Sequence, residues 1–424
     1  MRSGACVCAR SARRHGSRKS ASSRHGTTTV TRSCRGTRSP YPWHGEGVRE
    51  QHLDTVIDAA VTSGAPFVIA GITDPDDTTY LHASGGDATA GTVIALYSGT
   101  KAFTATAALQ CVEDGLIDLD APARAYLPEI GELQVLTDLG EDGLVRTRPP
   151  VREITPRMLL LHTSGLAYDM FDKRYAILAR ERMRRPSATP LHDSLMTPLL
   201  HDPGERWTYG TSMDWMGLLI AAVRGKRLED VFAERIYAPC GMTSTSFDVT
   251  PSMRARLATV HRRMRDGSIA PTSITPPDSP ELDMGGQGLF TTVPDLLALL
   301  RVWLGDGSAP GGRVLKPETV HWAVQGAPEV TVTPLPSAIP ALTREADFFP
   351  GERTSWAYSF LRNEDDVPGR RRAGSLTWAG LANVFYWIDR ASGLAAVWAT
   401  QLLPFFDPVA SEGVESFERA VYGS

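Results

Sequence analysis

The 424-residue sequence is poor in lysine and cysteine and contains no long apolar run. Three of its five cysteines (Cys6, Cys8 and Cys34) lie near the N-terminus, which excludes a disulfide framework and favours a reducing compartment. No stretch of 18 apolar residues occurs, so the sequence predicts no membrane-spanning helix. The ten histidines form no HExxH motif and no paired spacing, so we expect no metal site and no cofactor.

Acidic residues are missing from the first 45 residues, which contain ten lysines and arginines. We predict that residues 1–47 form a basic, disordered tail, because their apolar content is too low to support a core. The tail lacks the apolar stretch of a secretory signal, so we expect a cytoplasmic protein. The remaining sequence has 34 basic and 48 acidic residues, a difference of −14, which argues against a nucleic-acid partner.

Residues 48–424 alternate between strand and helix patterns. Strands are predicted at 67–72, 79–82, 92–97, 354–361, 382–388 and 394–401, and helices at 51–63, 101–114 and 294–303. Residues 116–280 are predicted to be mostly helical segments with long polar loops. Because strands occur towards both ends, we expect one sheet built from both, with a helical insertion. We place an α/β part at 48–97 with 285–424 and a helical part at 98–284. The Pro-rich segment 327–352 is typical of a binding rim.

The most informative short pattern is Ser98-Gly99-Thr100-Lys101, where a predicted strand runs into a predicted helix. A serine hydroxyl is a weak nucleophile at neutral pH and needs a base beside it. A lysine three residues later on a helix lies on the same face, so its amine can reach the hydroxyl. Arginine supplies 39 of the 44 basic residues, but it does not lose its proton and could not act as this base.

Lysine must be neutral to accept a proton from serine. Its free side chain has a pKa of about 10.4, and lowering this value by about three units requires roughly 4 kcal/mol of differential interaction. Burial on an apolar helix can supply that energy. The residues flanking Lys101 are accordingly apolar: Ala102, Phe103, Ala105 and Ala107.

Five segments together resemble the serine β-lactamase-related superfamily: 98–101, 154–166, 203–209, 285–292 and 376–380. Segments 209–217 and 383–389 are similar to its class C β-lactamase-like branch of family VIII esterases and statin-type polyketide acyltransferases. The resemblance covers residue 48 to the C-terminus. It implies a β-lactamase/transpeptidase-like α/β (α+β) fold, with a mainly antiparallel sheet flanked by helices and an all-helical subdomain.

The resemblance also implies roles for individual residues. Ser98 would attack an acyl carbonyl and become acylated, while Lys101 and Tyr209 would share the proton transfers. The backbone N–H groups of Ser98 and Leu381 would form the oxyanion hole. The implied substrate-binding residues are Trp378, Ala379, Gly380 and Thr211.

Two departures from the family pattern bear on the substrate. Thr211 stands where the second motif often has asparagine, so the amide donor that recognises a β-lactam side chain is missing. Trp378-Ala379-Gly380 replaces Lys-Thr-Gly, which removes the cation that holds a β-lactam carboxylate. The expected substrate is therefore a small-molecule ester, thioester or other acyl compound, with no membrane partner, and an acyl carrier protein is a candidate donor. With water as acceptor the enzyme is a carboxylesterase, and with an alcohol it is an acyltransferase.

Several alternatives remain open at the level of sequence. The enzyme could be a weak β-lactamase or D-amino-acid peptidase, or the chain could be a catalytically silent binding homologue. Arg370-Arg371-Arg372 fits either a phosphate-binding cluster or, more commonly, a solvated turn. Gly210-Thr211-Ser212 begins like the G-x-S-x-G elbow of α/β-hydrolases, but its last glycine is absent.

Overall fold

The computed structural model describes residues 48–140, 145–184 and 195–423. The predicted tail at 1–47 lies outside the described residues. The strands, in chain order, are β1 Val68–Thr73, β2 Thr78–Ser84, β3 Ile94–Ala95, β4 Val135–Leu139, β5 Val145–Arg148, β6 His261–Arg263, β7 Ile269–Pro271, β8 Phe290–Thr291, β9 Ser308–Ala309, β10 Gly312–Arg313, β11 Ala327–Thr331, β12 Thr354–Ala357, β13 Phe360–Asn363, β14 Leu376–Gly380, β15 Val384–Asp389, β16 Leu394–Ala399 and β17 Leu402–Leu403.

The α-helices of the described residues are α1 Val48–Thr62, α2 Thr100–Glu113, α3 Pro156–Leu160, α4 Lys173–Arg184, α5 Ser212–Arg224, α6 Leu228–Phe232, α7 Ala238–Cys240, α8 Pro251–Arg254, α9 Val293–Leu304, α10 Pro317–Ala323 and α11 Pro408–Tyr422. Short 3-10 turns occupy Tyr97–Gly99, Ala123–Ala125 and Pro128–Glu132, and a π-helical turn spans Ala233–Tyr237. None of the described helices is long and apolar enough to cross a membrane.

An eight-stranded antiparallel sheet forms the centre of the fold, in the order β11-β12-β13-β14-β15-β16-β1-β2. Its strands come from 68–84 and from 327–399, so both ends of the chain build one sheet, as the sequence predicted. The three strands β14, β15 and β16 are buried along their whole length. Such continuous burial requires helices on both faces of the sheet.

Two neighbouring residue pairs show how the two faces are covered. Gly71 of β1 lies so close to α9 that an added Cβ would come within 2.7 Å of the Leu297 side chain. Trp398 of β16, which pairs with Ala70, instead packs against Gly413 of α11. Because side chains alternate along a strand, α9 and α11 cover opposite faces, and α1 lies beside α11. The resulting fold is the mixed α/β arrangement that the sequence predicted, while the boundaries proposed at 97/98 and 284/285 stay a prediction.

Two predicted strands are wrong in extent. The strand predicted at 92–97 is reduced to β3, because Tyr97 adopts a positive φ of 47° and turns the chain into the following helix. The strand predicted at 354–361 is a hairpin of β12 and β13, since Tyr358 and Ser359 both have positive φ values. Each break therefore occurs where the backbone leaves the extended region, which the side-chain pattern alone does not reveal.

Candidate active site

Ser98 lies in the 3-10 turn that joins β3 to α2. β3 pairs with β8, and the side-chain amide of Gln401 brackets Ala95, accepting from its N–H at 3.0 Å and donating to its carbonyl at 3.1 Å. The left-handed Tyr97 then bends the chain, and the phenol of Tyr97 is anchored on the carbonyl of Ile274 at 2.7 Å. The backbone on both sides of Ser98 is therefore held in place by distant parts of the chain.

Lys101 is completely buried in the first turn of α2. Its Nζ lies 3.1 Å from Ser98 Oγ, 3.1 Å from the hydroxyl of Tyr168 and 2.7 Å from the carbonyl oxygen of Gly286. Burial lowers the pKa of Lys101 to about 7, and the carboxyl group of Asp214 opposes this shift. A neutral amine keeps two N–H groups for Tyr168 and Gly286 and can direct its lone pair at the serine hydroxyl.

Tyr209 is the third member of the predicted catalytic set, and the structure brings it to the other two. Its ring centroid is 4.8 Å from Lys101 Nζ, and its hydroxyl accepts a 2.9 Å hydrogen bond from the indole N–H of Trp378. Burial raises the pKa of Tyr209, while hydrogen bonding with Ser98 and Trp378 acts in the opposite direction. Tyr209 therefore remains protonated at neutral pH, which suits it to donate a proton, whereas Lys101 suits the role of acceptor.

Sequence reasoning missed Tyr168 and Asp214, which complete the surroundings of Lys101. The Tyr168 hydroxyl accepts from Lys101 and donates to Asp214 Oδ2 at 3.2 Å, and the other carboxylate oxygen accepts from the Gly286 N–H at 2.8 Å. Burial raises the pKa values of both side chains. The sequence contains one indication of the role of Asp214: it is an acidic residue within the otherwise apolar start of α5.

Two glycines permit the close approaches on which this geometry depends. A Cβ on Gly286 would lie 2.4 Å from Asp214 Oδ2, and a Cβ on Gly380 would lie 2.3 Å from the carbonyl oxygen of Leu96. The first glycine lets the backbone reach both Asp214 and Lys101. The second lets β14 approach the turn that holds Ser98, so Gly380 acts through the backbone.

A pocket of about 430 Å³ opens above Ser98. Of the predicted site residues, Ser98, Tyr209, Trp378, Ala379 and Leu381 line it. The other lining residues are Tyr97, Tyr168, Met170, Phe171, Gln287, Leu335 and Phe405. Among these described residues there is no arginine or lysine, so the lining offers no side-chain cation to a ligand. Leu335 belongs to the Pro-rich segment that the sequence predicted as a binding rim.

Two residues of the predicted binding set do not line this pocket. Gly380 and Thr211 are not among its lining residues, and the hydroxyl of Thr211 is buried without a hydrogen-bond partner among the described residues. The neighbouring Ser212 is fully buried and shares a 2.8 Å hydrogen bond with Ser164, so it offers no accessible nucleophile. The contact of Thr211 with substrate and the oxyanion hole at Ser98 and Leu381 stay predictions.

The Arg370–372 run fits neither interpretation offered by the sequence. Arg371 is buried and makes two side-chain hydrogen bonds, of 2.7 and 2.8 Å, to the fully buried Glu418 of α11. Arg370 bonds to the same carboxylate at 2.6 Å, and Arg372 pairs with Asp366. The run is a structural ion-pair network, so its first two cations are not available to a phosphate group.

Groups of three or more histidine, cysteine, aspartate or glutamate side chains that could hold a metal ion do not occur within 48–140, 145–184 and 195–423. The two cysteines in these ranges, Cys111 and Cys240, are buried free thiols.

Comparison with known proteins agrees with this geometry. The beta-lactamase family model matches residues 53–416. The chain belongs to the beta-lactamase family. It is 33% identical over 340 residues to the monacolin J acid methylbutanoyltransferase of Aspergillus terreus, covering 77% of this chain and 81% of the relative. It is 32% identical over 346 residues to the lovastatin esterase of Penicillium rubens, covering 78% and 85%.

Solved structures give the same result. Unliganded simvastatin synthase from Aspergillus terreus superposes with a TM-score of 0.76 at 29% identity, covering 89% of this chain and 98% of that structure. The predicted superfamily, its esterase and acyltransferase branch and the fold are thus confirmed. The protein is an acyl-transfer enzyme of the β-lactamase-related type, either an esterase or an acyltransferase. The β-lactamase, peptidase and silent-homologue alternatives are not favoured.

Proposed function

We propose that this enzyme transfers a short acyl group from a thioester to the hydroxyl of a small-molecule acceptor through an acyl-Ser98 intermediate. The observation that carries the proposal is the contact of 3.1 Å between Lys101 Nζ and Ser98 Oγ at the floor of a largely apolar pocket. Support also comes from a methylbutanoyltransferase among the relatives.

The first half-reaction acylates the serine. Ser98 Oγ forms a bond to the thioester carbonyl carbon while Lys101 accepts the serine proton. The carbon–sulfur bond then breaks, and the leaving thiolate takes up a proton that Lys101 and Tyr209 supply. The products of this step are acyl-Ser98 and a free thiol.

The second half-reaction reverses these roles. The acceptor hydroxyl loses its proton to the same lysine–tyrosine pair and bonds to the acyl carbon, and Ser98 Oγ departs and regains a proton. Met170, Phe171, Leu335 and Phe405 line the pocket with apolar or aromatic surface, which suits an aliphatic acyl chain. Water as acceptor would give hydrolysis, the reaction named in the lovastatin esterase relative.

The absence of a cation among the described lining residues disfavours β-lactam substrates. A carboxylate bound in a largely apolar pocket would lack a compensating charge and would lose its hydration. A neutral ester or thioester carbonyl has no such requirement.

The nucleophile is tested with p-nitrophenyl butyrate. We expect Ser98→Ala to lower kcat/KM by about 10³-fold or more, because it removes the oxygen that becomes acylated, while the other hydroxyl hydrogen-bonded to Lys101, that of Tyr168, donates to Asp214. The exposed Ser63→Ala is the matched control and should retain full activity. A Ser98→Ala variant as active as the unmodified enzyme would remove Ser98 from the mechanism.

Transfer and hydrolysis are separated by their products. The enzyme is incubated with the butyryl thioester of N-acetylcysteamine and a panel of apolar secondary alcohols, and the butyryl ester and butyric acid are quantified by mass spectrometry. We expect ester formation that requires Ser98. If only butyric acid forms with every alcohol, the proposal of transfer fails and hydrolysis takes its place.

A further inference from the structure

A wide groove lies beside the active-site pocket and is rich in arginine. It is open to solvent and spans about 1,950 Å³ between β6 with the turn that follows it and the segment 337–345. Four arginines line this groove: Arg262, Arg263, Arg265 and Arg344. Two acidic residues, Asp266 and Glu345, also line it, and Asp266 accepts hydrogen bonds from the Ser268 backbone and hydroxyl.

Three of these four guanidinium groups are not engaged by a carboxylate of the described chain. Arg263 is paired with the fully buried Asp407 at 2.6 Å and has a structural role. Arg262 makes one side-chain contact, with the sulfur of Met264 at 3.9 Å. Arg265 and Arg344 are exposed, and within the described ranges neither side chain forms a hydrogen bond or ion pair. Most arginines elsewhere on the described chain have a carboxylate partner, so this cluster of free cations is unusual for the protein.

The groove and the pocket share a wall. Pro404 lines the groove and the next residue, Phe405, lines the pocket. The backbone N–H of Arg344 donates to the Phe405 carbonyl at 2.9 Å. The hydroxyl of Thr343, also in the groove, donates to the carbonyl of Met170 at 3.2 Å, and Met170 lines the pocket. The pocket and the groove are therefore neighbours, and the three arginines lie on the groove side of this wall.

We propose that Arg262, Arg265 and Arg344 bind the phosphate of a phosphorylated pantetheine thioester while its acyl end lies at Ser98. The inference rests on the proposed acyl transfer from a thioester and names the donor class. Guanidinium groups suit phosphate because they stay charged and offer planar pairs of N–H donors. An extended polyanion such as nucleic acid is disfavoured, because residues 46–424 carry 14 more acidic than basic residues.

The test compares three thioester donors that share the pantetheine arm and differ in the group attached to its far end. Butyryl-coenzyme A, butyryl-phosphopantetheine and butyryl-pantetheine share one thioester arm, and the last has no phosphate. The triple variant Arg262→Gln/Arg265→Gln/Arg344→Gln removes the three cations. We expect the ratio of kcat/KM for butyryl-coenzyme A to that for butyryl-pantetheine to fall by about 10-fold or more, through KM. The matched control Arg124→Gln/Arg146→Gln/Arg313→Gln makes the same charge change outside the groove and should leave the ratio unchanged.

The three donors also separate the sources of phosphate. If the triple variant loses kcat/KM equally for butyryl-phosphopantetheine and butyryl-coenzyme A, the arginines bind the pantetheine phosphate. An acyl carrier protein carries the same phosphate. If the triple variant loses kcat/KM only for butyryl-coenzyme A, the arginines bind the phosphates of the nucleotide part. An unmodified enzyme that uses butyryl-pantetheine as efficiently as both phosphorylated donors would overturn the proposal, as would an equal effect of the groove and control variants on the ratio.

A binding measurement separates this inference from the proposed function. Coenzyme A is titrated calorimetrically into the Ser98→Ala protein, which needs no turnover. We expect binding that weakens with rising salt and is lost in the groove variant. If coenzyme A binds in this way but the unmodified enzyme turns over no thioester, the groove binds phosphate and the proposed function is wrong. If the enzyme turns over thioesters but coenzyme A does not bind through the three arginines, the inference about the groove is wrong and the proposed function stands.

Discussion

At the scale of single residues, the protonation state of Lys101 governs the site. Its amine is buried among Ser98, Tyr168 and Gly286, and its Nζ lies 3.1 Å from the serine Oγ. Because the neutral form is the one that accepts a proton, activity must rise as pH increases through the pKa of Lys101. We expect kcat/KM for p-nitrophenyl butyrate to show an acidic limb near pH 7. A profile that stays flat from pH 5 to pH 8 would contradict this assignment.

The charge of Asp214 influences the pH at which the acidic limb of the kcat/KM profile lies. Its carboxyl group favours the charged form of Lys101 and so raises the lysine pKa. Asp214→Asn removes this attraction and keeps an oxygen that can accept from the Gly286 N–H. We expect the acidic limb of kcat/KM to move to lower pH, by about one unit, since a single nearby charge shifts a pKa by about that much.

The control for this prediction is Asp118→Asn, which neutralises an exposed carboxylate that does not line the pocket. It should leave the profile in place. A purely structural role for Asp214 would reduce activity at every pH without moving the limb, and a shift towards higher pH would reverse the sign of the interaction that we infer.

At the scale of elements, the turn from β14 to β15 holds the wall of the pocket. Asn383 occupies this turn with a φ of +61°. Its side-chain amide donates to the carbonyls of Leu402 and Pro404 at 2.7 and 2.9 Å, and its oxygen accepts from the N–H of Phe406 at 2.8 Å. The turn that presents Leu381 is therefore tied to the segment that presents Phe405.

Two substitutions of Asn383 separate its side-chain bonds from its backbone conformation. Asn383→Ala loses three hydrogen bonds, two of them buried and one partly buried, and strains a left-handed residue, so we expect about 3–4 kcal/mol of lost stability in urea unfolding. Asn383→Gly loses the bonds but tolerates the positive φ, and it should be about 1 kcal/mol less harmful. Equal losses for the two variants would show that the backbone conformation has no cost.

At the scale of the whole molecule, sequence reasoning succeeded where the information is local. Ser98 and Lys101 are three residues apart on a helix, so their contact follows from helix geometry. Tyr209 was found through a family motif. Tyr168 was missed because its role arises only when the fold places it between Lys101 and Asp214, residues that are distant in sequence.

The sequence-based interpretations of Arg370–372 were wrong for the same physical reason. A run of three arginines suggests a solvated surface, but its partner Glu418 is some 47 residues further along the chain. The side chain of Arg371 also lies 5.0 Å from the ring centroid of Phe349 and 5.1 Å from that of Trp387. Local charge patterns do not reveal that a later helix will cover them, and α11 does so here.

The ion pair between Arg371 and Glu418 therefore fastens the C-terminal helix to the rest of the fold. Arg371 holds the pKa of Glu418 below its usual range, against the desolvation of the carboxyl group. A depressed carboxyl pKa stabilises the folded state above the unfolded-state pKa, and this contribution is lost as pH falls towards the folded-state value.

We expect Glu418→Gln to cost about 3–5 kcal/mol in urea unfolding at pH 7, because it leaves buried arginine charge without a partner. The double variant Arg371→Met/Glu418→Met removes both charges and should recover part of that loss. If Glu418→Gln unfolds at the same urea concentration as the unmodified protein, the pair does not hold the helix in place.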